Sequence, residues 1–370
     1  MKEIKILQIL PQIGKDGISS FVLNYSQALK SKHVSMDFIC MRVLSQEALT
    51  LIHNSGGEVL VIPLLSPFRF FANIIHILIF FYKNSKKYDI VHVHHLGAGF
   101  IYLFIAWLFH IPKRIAHSHS VVYSFNKYNV IPHKICTQFF IFFATDYWGC
   151  SDAAGLFMFG KKRWAQKGCV IKNAINPEKY AFSEKKRNNL RKKLDLPINC
   201  SIILSVGSVN IGKNPFFTID VFSEYARLVP QAVLLFCGKN YLGNSLMQYA
   251  SHKNVQDKTF VLGERSDVGD FYSASDVLLF PSLAEGLGFV AVEAQAAGLP
   301  CLVSDKVPRE AIFLDNTAQY SLCKTPLEWA VKIKELVQQG RCYNVDDRIK
   351  CAGYNIESYS DFLYNSYLGI

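Results

Sequence analysis

Short apolar runs recur along the chain, each followed by a turn and a longer amphipathic stretch. Ile4 to Leu10 is the first run, and Val34 to Cys40, Glu58 to Ile62, Tyr88 to His95 and Ile111 to Ser120 follow it. After the first comes a helical stripe of Phe21, Val22, Tyr25, Ala28 and Leu29, with Ser19 or Ser20 as the expected cap. The second half restarts the pattern at Ile202 to Gly207, then Ala232 to Gly238, Phe260 to Gly263, Val277 to Phe280 and Leu302 to Ser304. Continuous apolar strands alternating with helices predict parallel sheets covered on both faces, an α/β fold. From Pro326 the chain reads as helices, and the last spans roughly Ile356 to Tyr367.

Two stretches are apolar all round: Phe68 to Tyr82 and Gly99 to Phe109. Both fall short of the about 20 residues that cross a bilayer. They are either helices packed on the first sheet or helices lying in a membrane interface, with Arg69, Lys83, Lys86 and Lys87 at the headgroups. Phe139 to Phe143 extends the same surface.

A length of 370 residues, half of them apolar, argues for two domains with sizeable cores. The ten cysteines form no C-x-x-C pair, so the expectation is free thiols in a reducing, cytoplasmic setting. The N-terminus opens on a strand and has no signal-peptide layout. A net charge of +11 admits nucleic acid, an anionic membrane face or anionic small ligands as partners. Nothing here has the pattern of a nucleic-acid module, so nucleic acid is set aside. The densest basic run, Lys185-Lys186-Arg187 with Arg191-Lys192-Lys193, reads as a solvated helix face or a contact for acidic phospholipid.

Candidate chemistry concentrates between Ser275 and Pro300. A strand ends at Pro281, the turn Glu285-Gly286-Leu287-Gly288 follows, and a helix runs to Gly298-Leu299-Pro300. Free N–H groups at a helix start attract phosphate, and glycines let a ligand approach the backbone. With the helix starting near Leu287, Glu293 lies about 9 Å along it. Two carboxylates flanking an anion site suit a long ligand with hydroxyls at both ends and phosphates between them, as in a sugar nucleotide. Upstream, Lys213 carries a cation to a helix start, where the dipole disfavours it unless an anion joins it. In the first half, His92 and His94 alternate onto one strand face, and His117 and His119 end the next strand. No zinc-ligand spacing accompanies them, so no metal site is assigned.

The segment from Glu285 to Glu293, with Asp276-Val277, Pro281-Ser282 and Glu293-Ala294-Gln295-Ala296-Ala297-Gly298 around it, resembles the E-x7-E region of family 4 retaining glycosyltransferases. Its surroundings resemble the EpsF-type enzymes of exopolysaccharide and capsule synthesis. The resemblance runs across most of the chain and is most specific from Val206 to Pro300. It implies the GT-B architecture, two Rossmann-like domains with parallel sheets facing a central cleft. Residues 1–172 would form the acceptor domain and 173–355 the donor domain, with 356–370 returning to the first. It implies that Glu285 contacts donor-sugar hydroxyls, Glu293 the ribose, Lys213 the diphosphate and His119 the reactive carbon, with His117 second for that role. Gly286, Leu287 and Gly288 would line the phosphate site, Arg265 the base, and Gly14 and Gly17 the acceptor and phosphate loop. Ser208 stands where the family has a diphosphate-binding arginine, Lys15-Asp16 interrupts its glycine pair, and Ala174 replaces a hinge glycine. The implied reaction is hexose transfer from a nucleotide-diphosphate donor, most simply a UDP-sugar, to a polysaccharide or lipid-linked saccharide, with no cofactor and no metal. The alternatives are a GT-B sugar-nucleotide epimerase or phosphorylase, and an inactive membrane-bound scaffold.

Overall fold

The computed structural model describes residues 3–63, 69–95, 97–123, 127–197 and 199–370. Phe68, the expected start of the first apolar stretch, lies outside them. The chain divides into two compact units, Met1–Ile175 with Ile356–Ile370, and Asn176–Asn355.

The first unit alternates strictly. β1 (Ile4–Leu10), α1 (Gly17–Ala28), β2 (Val34–Cys40), α2 (Gln46–Asn54), β3 (Val59–Val61) and α3 (Phe70–Asn84) come first. β4 (Ile90–Val93), α4 (Gly99–Leu108), β5 (Lys113–Ser118), α5 (Lys127–Phe143), β6 (Asp146–Gly149), α6 (Asp152–Lys167) and β7 (Gly168–Val170) follow. The sheet order is β3-β2-β1-β4-β5-β6-β7, with every pairing parallel. β4 is buried at all four positions, as a central parallel strand covered on both faces must be. One face packs on α1 and α2 through Phe21, Val22, Tyr25 and Ile52, and the other on α3, α4 and α5 through Ile77, Phe81, Leu103 and Phe140. The expected serine caps of α1 are corrected: Asp16 caps it, accepting from the N–H groups of Ile18 and Ser19. An aspartate before the helix reaches both orphan donors, while Ser19, inside the first turn, donates its hydroxyl to Asp16 instead.

The second unit holds α7 (Glu184–Lys193), β8 (Ser201–Val206), α8 (Pro215–Leu228), β9 (Ala232–Cys237), α9 (Ser245–His252), β10 (Thr259–Val261) and α10 (Val268–Ala274). It continues with β11 (Val277–Phe280), α11 (Phe289–Ala296), β12 (Cys301–Ser304), β13 (Thr317–Tyr320), α12 (Pro326–Gln339) and α13 (Asp346–Cys351). Its sheet, again parallel throughout, runs β10-β9-β8-β11-β12-β13. The basic run on α7 is not all solvated. Arg191 is fully buried, donating to Ala274 O, Cys200 O and Asp276, and Arg187 binds the same aspartate. A buried guanidinium is tolerated because its donors are met by carbonyls and a carboxylate.

The last helix, α14 (Ile356–Leu368), belongs to the first unit. It buries Leu363 and Tyr367. Lys113 Nζ caps its last turn through Ser366 O and Tyr367 O, and Tyr359 OH accepts from Lys172 N–H. Among the described residues no helix is long and apolar enough to cross a membrane.

Candidate active site

In the second sheet the strand order reverses between β8 and β11. Loops leaving the carboxyl ends of strands at such a reversal are where open α/β sheets bind ligands. Here the two loops are stitched together, Leu283 N–H donating to Gly212 O at 2.9 Å. Lys213 closes the short turn Ile211–Lys213, whose first residue follows the Asn210 cap. Asn214, left-handed at φ 56°, then redirects the chain into α8. Lys213 Nζ lies 2.5 Å from Glu285 Oε1 and 4.7 Å from the Phe280 ring centre. The anion that the sequence demanded for Lys213 is supplied by Glu285. The Glu285 side chain is only 11 % exposed. Its charge is balanced at short range, and a diphosphate arriving there would meet a cation already in place.

α11 begins at Phe289, two residues later than the expected start near Leu287. Gly288 causes the delay, because its φ of +87° is left-handed and a Cβ there would lie 2.9 Å from Val307 Cγ1. Glu293 is consequently four residues into the helix, about 6 Å along it rather than 9. The first helical bond is made by Ala291 N–H to Gly288 O, so the Phe289 and Val290 N–H groups precede it, facing the end where the dipole is positive. Leu287 is buried behind this turn. Glu293 is held by two phenols, Tyr180 OH to Oε1 and Tyr272 OH to Oε2, both at 2.8 Å. Burial pushes its carboxyl above the usual range, opposed by those two hydrogen bonds and by Lys179. The motif pointed to Glu293 but not to the two tyrosines, whose positions in sequence carry no periodic signal.

Ser208 follows β8 and is partly exposed. Arg265 is engaged by its neighbour: it makes a two-pronged pair with Asp267, at 2.8 and 2.6 Å, and lies over the Phe271 ring. The pair raises the arginine's pKa and lowers the aspartate's. Arg265 can still offer a face to a base, but its strongest donors are spent on Asp267.

In the first unit the histidines at the ends of β4 and β5 come together. His92 Nε2 meets His117 Nδ1 at 3.1 Å, and His94 Nδ1 meets His119 Nε2 at 2.9 Å. Gln8 Oε1 binds His94 Nε2 at 2.8 Å, and Tyr367 OH of α14 binds His92 Nδ1 at 2.9 Å and accepts from Gln8 at 3.2 Å. Phe21 and Trp148 wall the cluster. His117 Nε2 is buried without a partner. Burial drives His92, His94 and His117 well below the usual imidazole range and His119 to about 3, so all four rings are neutral at pH 7. Ring nitrogens of His92, His94 and His117 lie within 4.8 Å of one another. The coplanar His92 and His117 rings, 3° apart, have the geometry of a hydrogen bond. At the first βα turn, Gly14 N–H donates to Ser19 Oγ, and open space lies where a Cβ of Gly17 would point.

The outer faces of α3, α4 and α5 carry exposed apolar stripes: Phe71, Ile75, Ile79 and Tyr82; Phe104, Trp107 and Leu108; Ile131, Ile135, Phe139 and Phe142. Between residues 59 and 144 the sequence has eight lysines and arginines and one acidic residue, Asp89.

Residues 186–355 match the family model described as glycosyl transferases group 1. The chain is 25% identical over 377 residues to EpsF of Bacillus subtilis (strain 168), assigned there as a glycosyltransferase, covering 98% of this chain and 96% of that protein. It is 28% identical over 319 residues to the UDP-Gal:alpha-D-GlcNAc-diphosphoundecaprenol alpha-1,3-galactosyltransferase of Escherichia coli, covering 82% of this chain and 80% of that one. Among solved structures, Anabaena Alr3699/HepE in complex with UDP-glucose superposes with a TM-score of 0.80 at 16% identity, covering all of both chains.

Proposed function

Starting from the premise that the chain is a GT-B glycosyltransferase resembling EpsF, we propose that it is a family 4 retaining hexosyltransferase. Its donor is a nucleotide-diphosphate sugar, a UDP-sugar by preference, and its acceptor a hydroxyl of a growing, lipid-linked surface polysaccharide. The observation that carries the reading is the Lys213–Glu285 pair at the sheet reversal, with Glu285 four residues before the start of α11 and eight before Glu293.

In this reading the donor lies across the second unit. Its ribose hydroxyls bind Glu293, its diphosphate takes Lys213 and the Phe289 and Val290 N–H groups, and its sugar hydroxyls bind Glu285, which Lys213 releases. The departing diphosphate is stabilised by the lysine and the helix end, and the reading calls for no metal ion. Retention follows front-face departure: the C1–O bond to the diphosphate breaks, the acceptor oxygen joins C1 from the same side, and the leaving phosphate oxygen takes the acceptor's proton. A double displacement would instead need a carboxylate against the anomeric carbon, and the motif supplies none in that role. The first unit is assigned to the acceptor, through Gly14 and Gly17, and His119 keeps its proposed catalytic role as a neutral ring. Ser208 gives its position a hydroxyl and no charge, which leaves Lys213 as the main cation on the diphosphate.

The exposed stripes of α3, α4 and α5 and their excess of basic residues support peripheral contact with an anionic membrane, at its cytoplasmic face. The test is a donor screen. The chain is incubated with UDP-, GDP- and ADP-sugars, with and without bacterial lipid extract, with a chelator in a parallel arm and Glu285→Ala as control. Nucleotide release that needs lipid, survives chelation and is lost in the variant is the expected result. A changed sugar nucleotide without lipid makes the chain an epimerase, and binding without turnover makes it a scaffold.

A further inference from the structure

Glu293 sits on a helix otherwise built of alanine, valine, glutamine and phenylalanine, and its environment is arranged around its carboxylate. Tyr272, on α10, is fully buried, and Tyr180, just after the turn Pro177–Lys179, is partly exposed. They approach from different segments, their ring centres 6.1 Å apart and their planes at 55°, and each gives its hydroxyl to a different carboxylate oxygen at 2.8 Å. An ionised carboxylate offers about four acceptor positions. Two are filled by phenols, and one on each oxygen is left. A vicinal diol needs that arrangement: two neighbouring hydroxyls, each donating to one oxygen.

We propose that Tyr180 and Tyr272 are positioning residues for nucleotide recognition, fixing the Glu293 carboxylate so that its two remaining acceptor sites meet the 2′- and 3′-hydroxyls of a ribose. The inference rests on the ribose reading of Glu293 above and adds the specificity device behind it. Orientation is one part of the device, since a single-bonded carboxylate turns about its last bond and two phenols on two oxygens stop it. Charge state is the other. Burial favours the protonated acid, which would turn one oxygen into a donor and spoil it for a hydroxyl donor; the two phenols and Lys179 oppose this. The phenols cannot give up their protons in turn, because burial and the neighbouring carboxylate push both pKa values up.

The competing account is that the tyrosines only satisfy a buried acid and tie α10 and the 177–180 turn to α11. The two accounts differ in ribose discrimination. UDP, GDP and ADP are titrated calorimetrically against the full chain, and the tightest is compared with its 2′-deoxy form in wild type, Tyr180→Phe, Tyr272→Phe, the double variant and Glu293→Gln. Wild type is expected to prefer the ribonucleotide by about tenfold, the loss of one hydrogen bond to a charged group. Each Tyr→Phe change should weaken the ribonucleotide about three- to tenfold and leave the 2′-deoxy form within about twofold, so the ratio falls, and the double variant should approach Glu293→Gln. Equal weakening of both nucleotides, or an unchanged ratio, in the tyrosine variants overturns the positioning role while a collapsed ratio in Glu293→Gln keeps the ribose reading. An unchanged ratio in Glu293→Gln, or no binding of any nucleotide, overturns both. Tyr180, being partly exposed, carries the test if Tyr272→Phe does not fold.

Discussion

Acidification should unfold the first unit far earlier than an ordinary α/β domain. The perturbation is a drop from pH 7 to 5.5, and its target is the four linked rings His92, His94, His117 and His119. In the folded chain burial depresses all four, so they stay neutral throughout this window. In the unfolded chain each takes a proton near pH 6.5. A histidine whose folded pKa is depressed contributes stability that is fully present above the unfolded pKa and is lost as pH falls below it. Between pH 7 and 5.5 that loss is about 1.2 kcal/mol per ring and about 5 kcal/mol for the four. His95, pushed to about 4 by burial, works in the same direction. Total stabilities run about 5–15 kcal/mol, so a third or more of the margin goes. Urea unfolding of the full chain at half-unit pH steps measures it, followed by tryptophan fluorescence, since Trp148 lies 4.9 Å from the His92 ring. The slope at pH 5.5 should correspond to about four protons taken up on unfolding, and to about one fewer in His119→Asn. A stability flat from pH 7 to 5.5, or a slope unmoved by that substitution, would refute the reasoning.

Three further outcomes follow from the site and the surface. Lys213→Met removes a charge-assisted contact and leaves Glu285 repelling the diphosphate, so nucleotide affinity should fall at least about tenfold by calorimetry; unchanged affinity removes Lys213 from the site. A sugar nucleotide, which has no terminal phosphate to titrate near pH 6, should lose affinity on acidification as Glu293 protonates, and the fall should begin above the about 4.3 of an ordinary glutamate because burial raises this one; a fall confined below that value contradicts it. Vesicles containing about a third phosphatidylserine should retain the chain at low salt and release it as salt rises, with Phe71→Ser plus Phe142→Ser weakening retention about tenfold or more; equal retention on neutral vesicles defeats the electrostatic half of the argument.

The alternation of apolar runs and helices made both parallel sheets legible before any coordinates, because doubly covered strands such as Val277–Phe280 have no polar positions to blur them. Three strands escaped. Asp146–Gly149, Gly168–Val170 and Thr317–Tyr320 are short with few apolar positions, and only their pairing with β5, β6 and β12 makes them strands. Local chemistry decided the helix starts: Asp16 outcompetes the serines at α1, and a left-handed Gly288 delays α11. What the sequence hid was partnership at a distance. Arg191 reads as one more surface cation until Asp276, 85 positions on, is folded against it. Lys213 and Glu285, 72 apart, were each legible as ligand contacts but not as contacts of one another. The tyrosines on Glu293 come from segments 92 positions apart in the chain and fit no short motif.

The return of α14 has a consequence for how the protein is made. The first unit is interrupted by the whole of the second, and its Gln8 and His92 find their phenol only in Tyr367. A ribosome moving at about 5–20 residues per second finishes the first seven strands long before it reaches that tyrosine. For on the order of ten seconds or more the nascent first sheet carries a polar, unsealed patch between Phe21 and Trp148, while the second unit, contiguous from Asn176 to Asn355, has every residue it needs to close on itself. Synthesis therefore imposes an order opposite to the order of the genes' codons: the later unit matures first, and the earlier one waits for the tail.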